Sequence, residues 1–111
     1  MKRIEYTVRL LRAAEDDLNE IVTYIAVDNR SAAELITVRI ENNLAYLASH
    51  PYLGKIPNEE ELARLGYRFL VVQDYLIFYT IEGNTVWVHR ILQGARDYLH
   101  LIRSTAPNPD F

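Results

Sequence analysis

Apolar and polar residues follow two different periods in the first half of this chain. Polar and apolar side chains alternate over residues 3–8, and this period of two predicts a strand with one buried face. From Ala14 the period becomes helical, and the acidic residues 15–17 stand where the positive end of a helix dipole favours negative charge. A first helix is therefore predicted over residues 11–26. Its apolar stripe consists of Ala14, Leu18, Ile21, Val22 and Ile25.

A second helix is predicted after a turn at residues 28–30. Ser31 and Glu34 have the spacing of a capping box, in which each side chain accepts a hydrogen bond from a free backbone N–H. Pro51 disfavours helical geometry in the residue before it, so the helix should end by His50. Its buried stripe should contain Ala33, Ile36, Ile40, Leu44 and Leu47. Two helices joined by so short a turn form an αα-hairpin.

The second half of the chain predicts a meander of three antiparallel strands. A loop over residues 51–58 contains two prolines and a glycine, and one or two helical turns over residues 59–65 are closed by Gly66. The strands are predicted at residues 67–72, 75–82 and 85–92. Gly83 and Asn84 suit the second hairpin because both residues tolerate positive φ.

The predicted fold class is α+β, with the element order β-α-α-β-β-β-α. The N-terminal strand and the helical hairpin pack on the antiparallel meander sheet, and the other sheet face is left to a ligand or partner. A last short helix is expected over residues 95–103, within a single domain formed by residues 1–103. Residues 104–111 contain two prolines and no periodicity, and they are expected to form a flexible tail.

Composition and charge exclude several kinds of function for this chain. Of the 111 residues, 50% are hydrophobic and 24% are charged, an ordinary balance for one folded domain. The absence of cysteine excludes disulfides and thiolate metal sites, and we expect neither a metal nor a cofactor. No apolar run is long enough for a signal peptide or a membrane span, so a cytoplasmic protein is expected. The net charge of −3 argues against broad binding to phosphates.

The candidate chemistry lies on the late strands and on the loop after them. Their polar side chains are candidates for contact with a target: Arg68, Tyr75, Arg90, Gln93, Arg96 and Asp97. His89 could act as a general base, because its ordinary pKa of about 6.5 allows proton exchange at neutral pH. Its position in phase with Trp87 and Ile91 favours a packing role instead.

Two of the arginines and the tyrosines have competing interpretations. Arg90 is in phase with Val86 and Val88, so its guanidinium either reaches past the sheet edge or pairs with a carboxylate in a partly buried site. Arg96 follows Gly94 at a predicted helix start, where it could project freely, and it is the arginine favoured as functional. Tyr67, Tyr75 and Tyr79 lie on strand faces that are expected to be half-buried, and for most of the eight tyrosines packing is a better explanation than stacking on nucleic-acid bases.

Several motifs occur in an order and spacing that resemble the RelE/ParE superfamily of type II toxin–antitoxin toxins, in particular its ParE-like, plasmid-stabilisation subgroup. The resemblance spans roughly residues 3–102, and the motifs are Ala14 to Ile25, Leu47 before Pro51 and Gly54, Tyr67-Arg68, residues 75–79 and residues 90–97. It implies a growth inhibitor that is held inactive by a cognate antitoxin. The antitoxin is expected to wrap an extended or helical segment over the toxin's working surface.

The resemblance implies one of two activities. RelE-like members cut messenger RNA in the ribosome with basic side chains on the open sheet face, whereas ParE-like members poison DNA gyrase. Leu76 follows Tyr75 where the ribonuclease branch has an arginine, and Ile102 stands near the position of that branch's C-terminal tyrosine. The ParE-like activity is therefore favoured. A ribonuclease would need no metal and would depend on Arg68, His89 and Arg96. A degenerate toxin that only binds its antitoxin is the third hypothesis.

Overall fold

The computed structural model describes residues 5–94 and 97–105 of the chain. The elements are β1 (Thr7–Leu10), α1 (Arg12–Asp28), α2 (Arg30–Leu47), α3 (Glu60–Arg64), β2 (Arg68–Val72), β3 (Tyr75–Glu82), β4 (Thr85–Gln93) and α4 (Tyr98–Thr105). Their order confirms the predicted α+β fold. Within the described ranges, no helix combines the length and the apolar character that a membrane crossing requires.

The strands lie in the order β1-β4-β3-β2 in one sheet. Strands β2, β3 and β4 form the predicted antiparallel meander, and β1 joins it in parallel beside β4. The predicted start of the first strand at residue 3 lies outside the described residues. Its predicted end at Val8 is wrong, because β1 continues to Leu10 and the Leu11 N–H still donates to the Val88 carbonyl at 2.9 Å.

The helical hairpin forms as predicted, but only one residue separates α1 from α2. Asn29 is extended at φ −154°, and its side-chain oxygen accepts a hydrogen bond from the Ala32 N–H at 3.0 Å. Asn29 is therefore the N-cap of α2. The predicted capping box of Ser31 and Glu34 is wrong, because α2 begins at Arg30 and Ser31 already lies inside its first turn.

The hairpin packs on one face of the sheet and forms the main core. The five apolar positions predicted for α2 are all buried, which confirms the stripe: Ala33, Ile36, Ile40, Leu44 and Leu47. Ala14 of α1 joins the same core. The sheet contributes one face of each strand, including Ile77, Tyr79, Val86, Val88 and Ile91.

The opposite face of the sheet is also covered. Helices α3 and α4 pack there around a second cluster, which consists of Leu62, Tyr67, Phe78, Leu92 and Ile102. The prediction of a free second face is therefore wrong where these helices lie. The sequence predicted both short helices but not where they pack, because contacts between residues far apart in the chain decide which sheet face they cover.

The last helix differs from its predicted bounds. It begins at Tyr98 and continues to Thr105, beyond the predicted end at residue 103. Of the predicted helix start, residues 95 and 96 lie outside the described residues. The rest of the predicted tail, residues 106–111, lies outside them as well.

A β-bulge changes the phase of β4 at His89. Phe78 is opposite Arg90 and Tyr79 is opposite Val88, so His89 is an extra residue on β4. Two predicted phases are therefore wrong, since His89 does not share a face with Ile91, and Arg90 does not share one with Val88. No glycine or proline in the neighbouring sequence marks the bulge.

Candidate functional site

The Asp17 carboxylate links α1 to the C-terminal part of β4, which extends past the end of β1. Asp17 Oδ2 accepts hydrogen bonds from Arg90 Nε at 2.7 Å and from the Ile91 N–H at 3.0 Å. Asp17 Oδ1 accepts a third from Arg90 Nη2 at 2.8 Å. Only 10% of the Asp17 side chain and 15% of the Arg90 side chain are exposed. The carboxylate accepts a hydrogen bond from the Ile91 N–H, which lies beyond the part of β4 that pairs with β1. Its hydrogen bonds to Arg90 raise the pKa of Arg90.

Arg90 also reaches α4, since its Nη1 donates to the Leu101 carbonyl at 3.3 Å. It therefore links α1, β4 and α4. Of the two sequence-based interpretations of Arg90, the structure shows the partly buried ion pair, and a role in target binding stays a prediction. Sequence reasoning assigned Asp17 only to the helix dipole, because its partner is 73 positions away along the chain.

His89 is enclosed on the second sheet face, with 2% of the residue exposed. Its Nδ1 lies 3.2 Å from the Tyr67 hydroxyl and its Nε2 lies 2.9 Å from the Thr80 hydroxyl, so both ring nitrogens have partners. Burial lowers the pKa of His89 from 6.5 to about 4. The imidazole is therefore neutral at physiological pH, and its contacts favour the packing role over the catalytic one.

Arg68 and Tyr79 hold the loop after α2 against the sheet. Arg68 Nη1 donates to the carbonyls of Tyr52 at 3.1 Å and Gly54 at 2.9 Å, and the guanidinium lies 5.1 Å from the centre of the Tyr52 ring. The Tyr79 hydroxyl accepts from the Gly54 N–H at 2.8 Å and donates to the Pro51 carbonyl at 2.7 Å. We call these five residues the loop anchor. The contacts of Arg68 within it are structural, and its role at a target stays a prediction.

A cavity of about 290 Å³ lies between α1 and the end of the sheet at Tyr75 and Gln93, which are opposite each other in β3 and β4. We call it the end cavity. Its lining residues are Asp17, Glu20, Ile21, Tyr24, Tyr75, Ile91, Leu92 and Gln93. Two predicted target-binding residues thus come together here, whereas Arg68 belongs to the loop anchor.

The two tyrosines of the end cavity differ in exposure. Tyr24 is 79% exposed. Tyr75 is half-buried, and its pKa is raised by burial first and then by Asp74 and Tyr24. Sequence reasoning missed Glu20 and Tyr24. Both lie outside the apolar stripe predicted for α1. Tyr24 is an aromatic residue off that stripe, and this is the feature of the sequence that could have pointed to a binding surface on α1.

The two remaining residues that were predicted to contact a target, Arg96 and Asp97, come after β4 in the chain. Asp97 is exposed, and its Oδ1 accepts a hydrogen bond from the His100 N–H at 3.4 Å at the start of α4. Arg96 lies outside the described residues. The sheet end therefore presents exposed polar and aromatic side chains for binding, whereas the imidazole of His89 is closed off.

Comparisons with known proteins give a family and a fold. A family model described as the ParE toxin of the type II toxin–antitoxin system parDE matches residues 8–98. The chromosomal ParDE system from P. aeruginosa has a similar structure, with a TM-score of 0.67 at 16% identity, covering 83% of this chain and 98% of that one. The RelBE2 toxin–antitoxin complex from Mycobacterium tuberculosis has a TM-score of 0.59 at 24% identity, with coverages of 86% and 98%. No curated protein matches the chain.

Proposed function

Because the chain belongs to the ParE toxin family of type II toxin–antitoxin systems, we propose that it arrests bacterial growth by binding DNA gyrase in the cytoplasm and inhibiting it. A cognate antitoxin neutralises the toxin in this proposal. The two similar solved structures are themselves of toxin–antitoxin systems, which supports such a partner. The chain would then act as a binding protein and not as an enzyme.

The filled second face of the sheet is the observation that carries this proposal. A RelE-like ribonuclease is expected to place basic side chains on an open face, whereas Phe78, Leu92 and Ile102 are at most 2% exposed beneath α3 and α4. Leu76, at the position of the ribonuclease arginine, packs against the same cluster. An apolar layer supplies none of the donors that stabilise a pentacoordinate phosphate.

Two of the three residues that a ribonuclease would need are engaged elsewhere. Both nitrogens of His89 have partners in the interior, and Arg68 donates to two loop carbonyls. The third residue, Arg96, lies outside the described residues. Loss of one preorganised donor typically costs about 3–4 kcal/mol, or a hundred- to thousandfold in rate. Cleavage of messenger RNA should therefore be absent or very slow.

The polar residues at the sheet end are the proposed contact surface for gyrase. Tyr75 and Gln93 line the end cavity, and Asp97 is exposed at the start of α4. Arg96 precedes Asp97 in the sequence and completes the proposed set. We expect Arg96→Ala to weaken gyrase inhibition if this surface contacts the enzyme.

Two assays on one preparation of purified toxin test the proposal. The first is supercoiling by purified gyrase with detection of cleavage complexes, and the second is codon-specific mRNA cleavage on programmed ribosomes. We expect inhibited supercoiling and intact mRNA. Efficient mRNA cleavage with unaffected supercoiling would overturn the proposal and favour the ribonuclease.

A growth assay tests the toxin and antitoxin parts of the proposal. Expression of the chain alone should arrest bacterial growth, and co-expression of the protein encoded by the neighbouring reading frame should restore it. Unimpaired growth at verified high expression would reject the toxin activity and leave an inactive antitoxin-binding module.

A further inference from the structure

The end cavity has the size of a pocket for one side chain. Its volume of about 290 Å³ is just below the range that is usual for pockets of drug-sized ligands. Ile21, Ile91 and Leu92 give it apolar walls, and Glu20 and Gln93 bring polar groups to the same space. This lining suits a long side chain with an apolar stem and a polar head.

Negative charge at the end cavity is only partly compensated. Arg90 pairs with Asp17, whereas Glu20 is exposed and makes no salt bridge within residues 5–94 and 97–105. The charge of Glu20 nevertheless acts on this site, because it contributes to the raised pKa of Arg90. Asp74 adds negative charge beside Tyr75, whose pKa it helps to raise. The described charges at this end of the sheet therefore favour a cation.

Two tyrosine rings accompany this negative charge. Tyr24 and Tyr75 both line the cavity and lie close enough for Tyr24 to affect the pKa of Tyr75. The faces of aromatic rings attract cations, and a nearby carboxylate strengthens that attraction. A guanidinium group combines a planar face for stacking with several donors for Glu20 and the Gln93 amide oxygen. Arginine therefore fits this combination of groups better than lysine.

Two apolar side chains of α1 are exposed at and next to the cavity. Tyr24 is 79% exposed and Val27 is 81% exposed, and residues three apart lie on the same side of a helix. A partner that occupies the cavity could therefore also bury these two side chains, which would add apolar contact to its binding. The net charge of −3 favours a partner segment that is basic.

We propose that the end cavity binds an arginine side chain of the antitoxin, on an amphipathic segment whose apolar residues cover Tyr24 and Val27. This inference rests on the proposed function, because it assumes that a cognate antitoxin exists. The bound segment also covers Tyr75 and Gln93, which are proposed contacts of gyrase. Neutralisation then follows from occupation of the surface that the target needs.

The charge preference of the cavity is testable without the antitoxin. N-acetyl-arginine amide is titrated into isotope-labelled toxin and followed by NMR, with the citrulline analogue as a neutral match of the same shape. We expect saturable shifts at Tyr24, Tyr75 and Gln93 with roughly millimolar affinity, and binding of citrulline at least about fivefold weaker. Equal binding of the two compounds, or no binding at the cavity, would overturn the proposal.

A pair of matched variants distinguishes binding of arginine at the cavity from a general effect of the net charge of the chain. Glu20→Gln removes the negative charge of Glu20 and keeps the size of the side chain, so it should abolish the preference for arginine over citrulline. Glu41→Gln changes an exposed acid on α2 that does not line the cavity, and it should leave the preference intact. Equal losses in the two variants would show a general charge effect and reject the site.

The affinity of the antitoxin tests the identity of the occupant. The growth assay first tests whether the chain arrests growth and whether the product of the neighbouring reading frame restores it. Absence of arrest would reject the proposed function. The arginine titration would still test the cavity in that case. Where rescue occurs, Glu20→Lys should weaken antitoxin binding about tenfold and Glu41→Lys should leave it unchanged. Unchanged affinity of Glu20→Lys would reject the antitoxin segment as the occupant.

Discussion

The loop anchor and the end cavity both combine tyrosine side chains with polar groups. The polar groups of the loop anchor are hydrogen-bonded within the chain, whereas several polar groups of the end cavity are exposed to solvent. In the loop anchor, the Tyr79 hydroxyl and the Arg68 guanidinium hydrogen-bond to the loop itself, and Tyr79 is fully buried. In the end cavity, Glu20 and Tyr24 face solvent. Polar groups with partners inside the chain stabilise the fold, whereas converging groups that stay exposed are available to another molecule.

The same difference applies to the arginines that were candidates from the sequence. Arg68 belongs to the loop anchor, and Arg90 is paired with Asp17. A strand arginine is therefore weak evidence of function until its partner in the fold is known.

The largest expected effect comes from Asp17, which lines the end cavity but has internal partners. Asp17→Ala leaves Arg90 and the Ile91 N–H without their acceptor and should lower the free energy of unfolding by about 3–5 kcal/mol. Asp16→Ala is the matched control, since 64% of the Asp16 side chain is exposed, and it should change stability by less than about 0.5 kcal/mol. Urea unfolding measures both, and similar small effects would contradict a structural role for Asp17.

His89 should make stability depend on pH in one defined window. Its pKa is about 4 in the folded chain and 6.5 when unfolded, so between these values only the unfolded chain gains the proton. The free energy of unfolding should therefore fall as pH drops from 6.5 to 4, by about 2–3 kcal/mol from this group, and stay independent of it above 6.5. The variant His89→Gln should lack this component, and equal slopes in the two proteins would argue against a buried neutral imidazole.

The loop anchor should respond to small changes that keep its shape. Tyr79→Phe leaves the buried Gly54 N–H and Pro51 carbonyl without a partner, which should cost about 1–3 kcal/mol. Gly54→Ala should cost a similar amount, because its Cβ would lie 2.6 Å from the Tyr79 hydroxyl oxygen and 2.9 Å from the Phe69 carbonyl oxygen. Thermal unfolding compares them with Tyr46→Phe on the exposed side of α2, and a loss in that control as large as in Tyr79→Phe would contradict the assignment.

The smallest effect on stability is expected at the exposed groups of the end cavity. Glu20→Gln and Tyr24→Leu remove no internal hydrogen bond of the described chain and should change the free energy of unfolding by less than about 0.5 kcal/mol. Both should nevertheless reduce arginine binding at the cavity. A large loss of stability in either variant would show that these groups support the fold, and the contrast with the loop anchor would disappear.

The sequence predicted the parts of the fold that depend on local periodicity. The α2 stripe from Ala33 to Leu47 spans several turns, and the hairpin at Gly83 and Asn84 is marked by residues that tolerate positive φ. The parallel pairing of β1 with β4 and the bulge at His89 depend on distant contacts, which no local pattern records. The cover formed by α3 and α4 was missed for the same reason.

The candidate site was predicted only in part. Tyr75 and Gln93 were chosen from their position on the late strands, and the structure places both at the end cavity. Glu20 and Tyr24 were missed because they lie on α1, far from these strands in the sequence. Arg68 was chosen by residue type, and its hydrogen bonds to the loop became visible only in the folded chain.

Supercoiling by purified gyrase, titrated with wild-type toxin, Gln93→Ala and Lys55→Ala, tests the central claim most directly. Gln93 is exposed at the sheet end, whereas Lys55 is exposed on the loop beside the loop anchor. We expect the wild type to inhibit, Gln93→Ala to require about tenfold more protein, and Lys55→Ala to match the wild type. No inhibition by the wild type, or a loss confined to Lys55→Ala, would contradict a gyrase-binding surface at the sheet end.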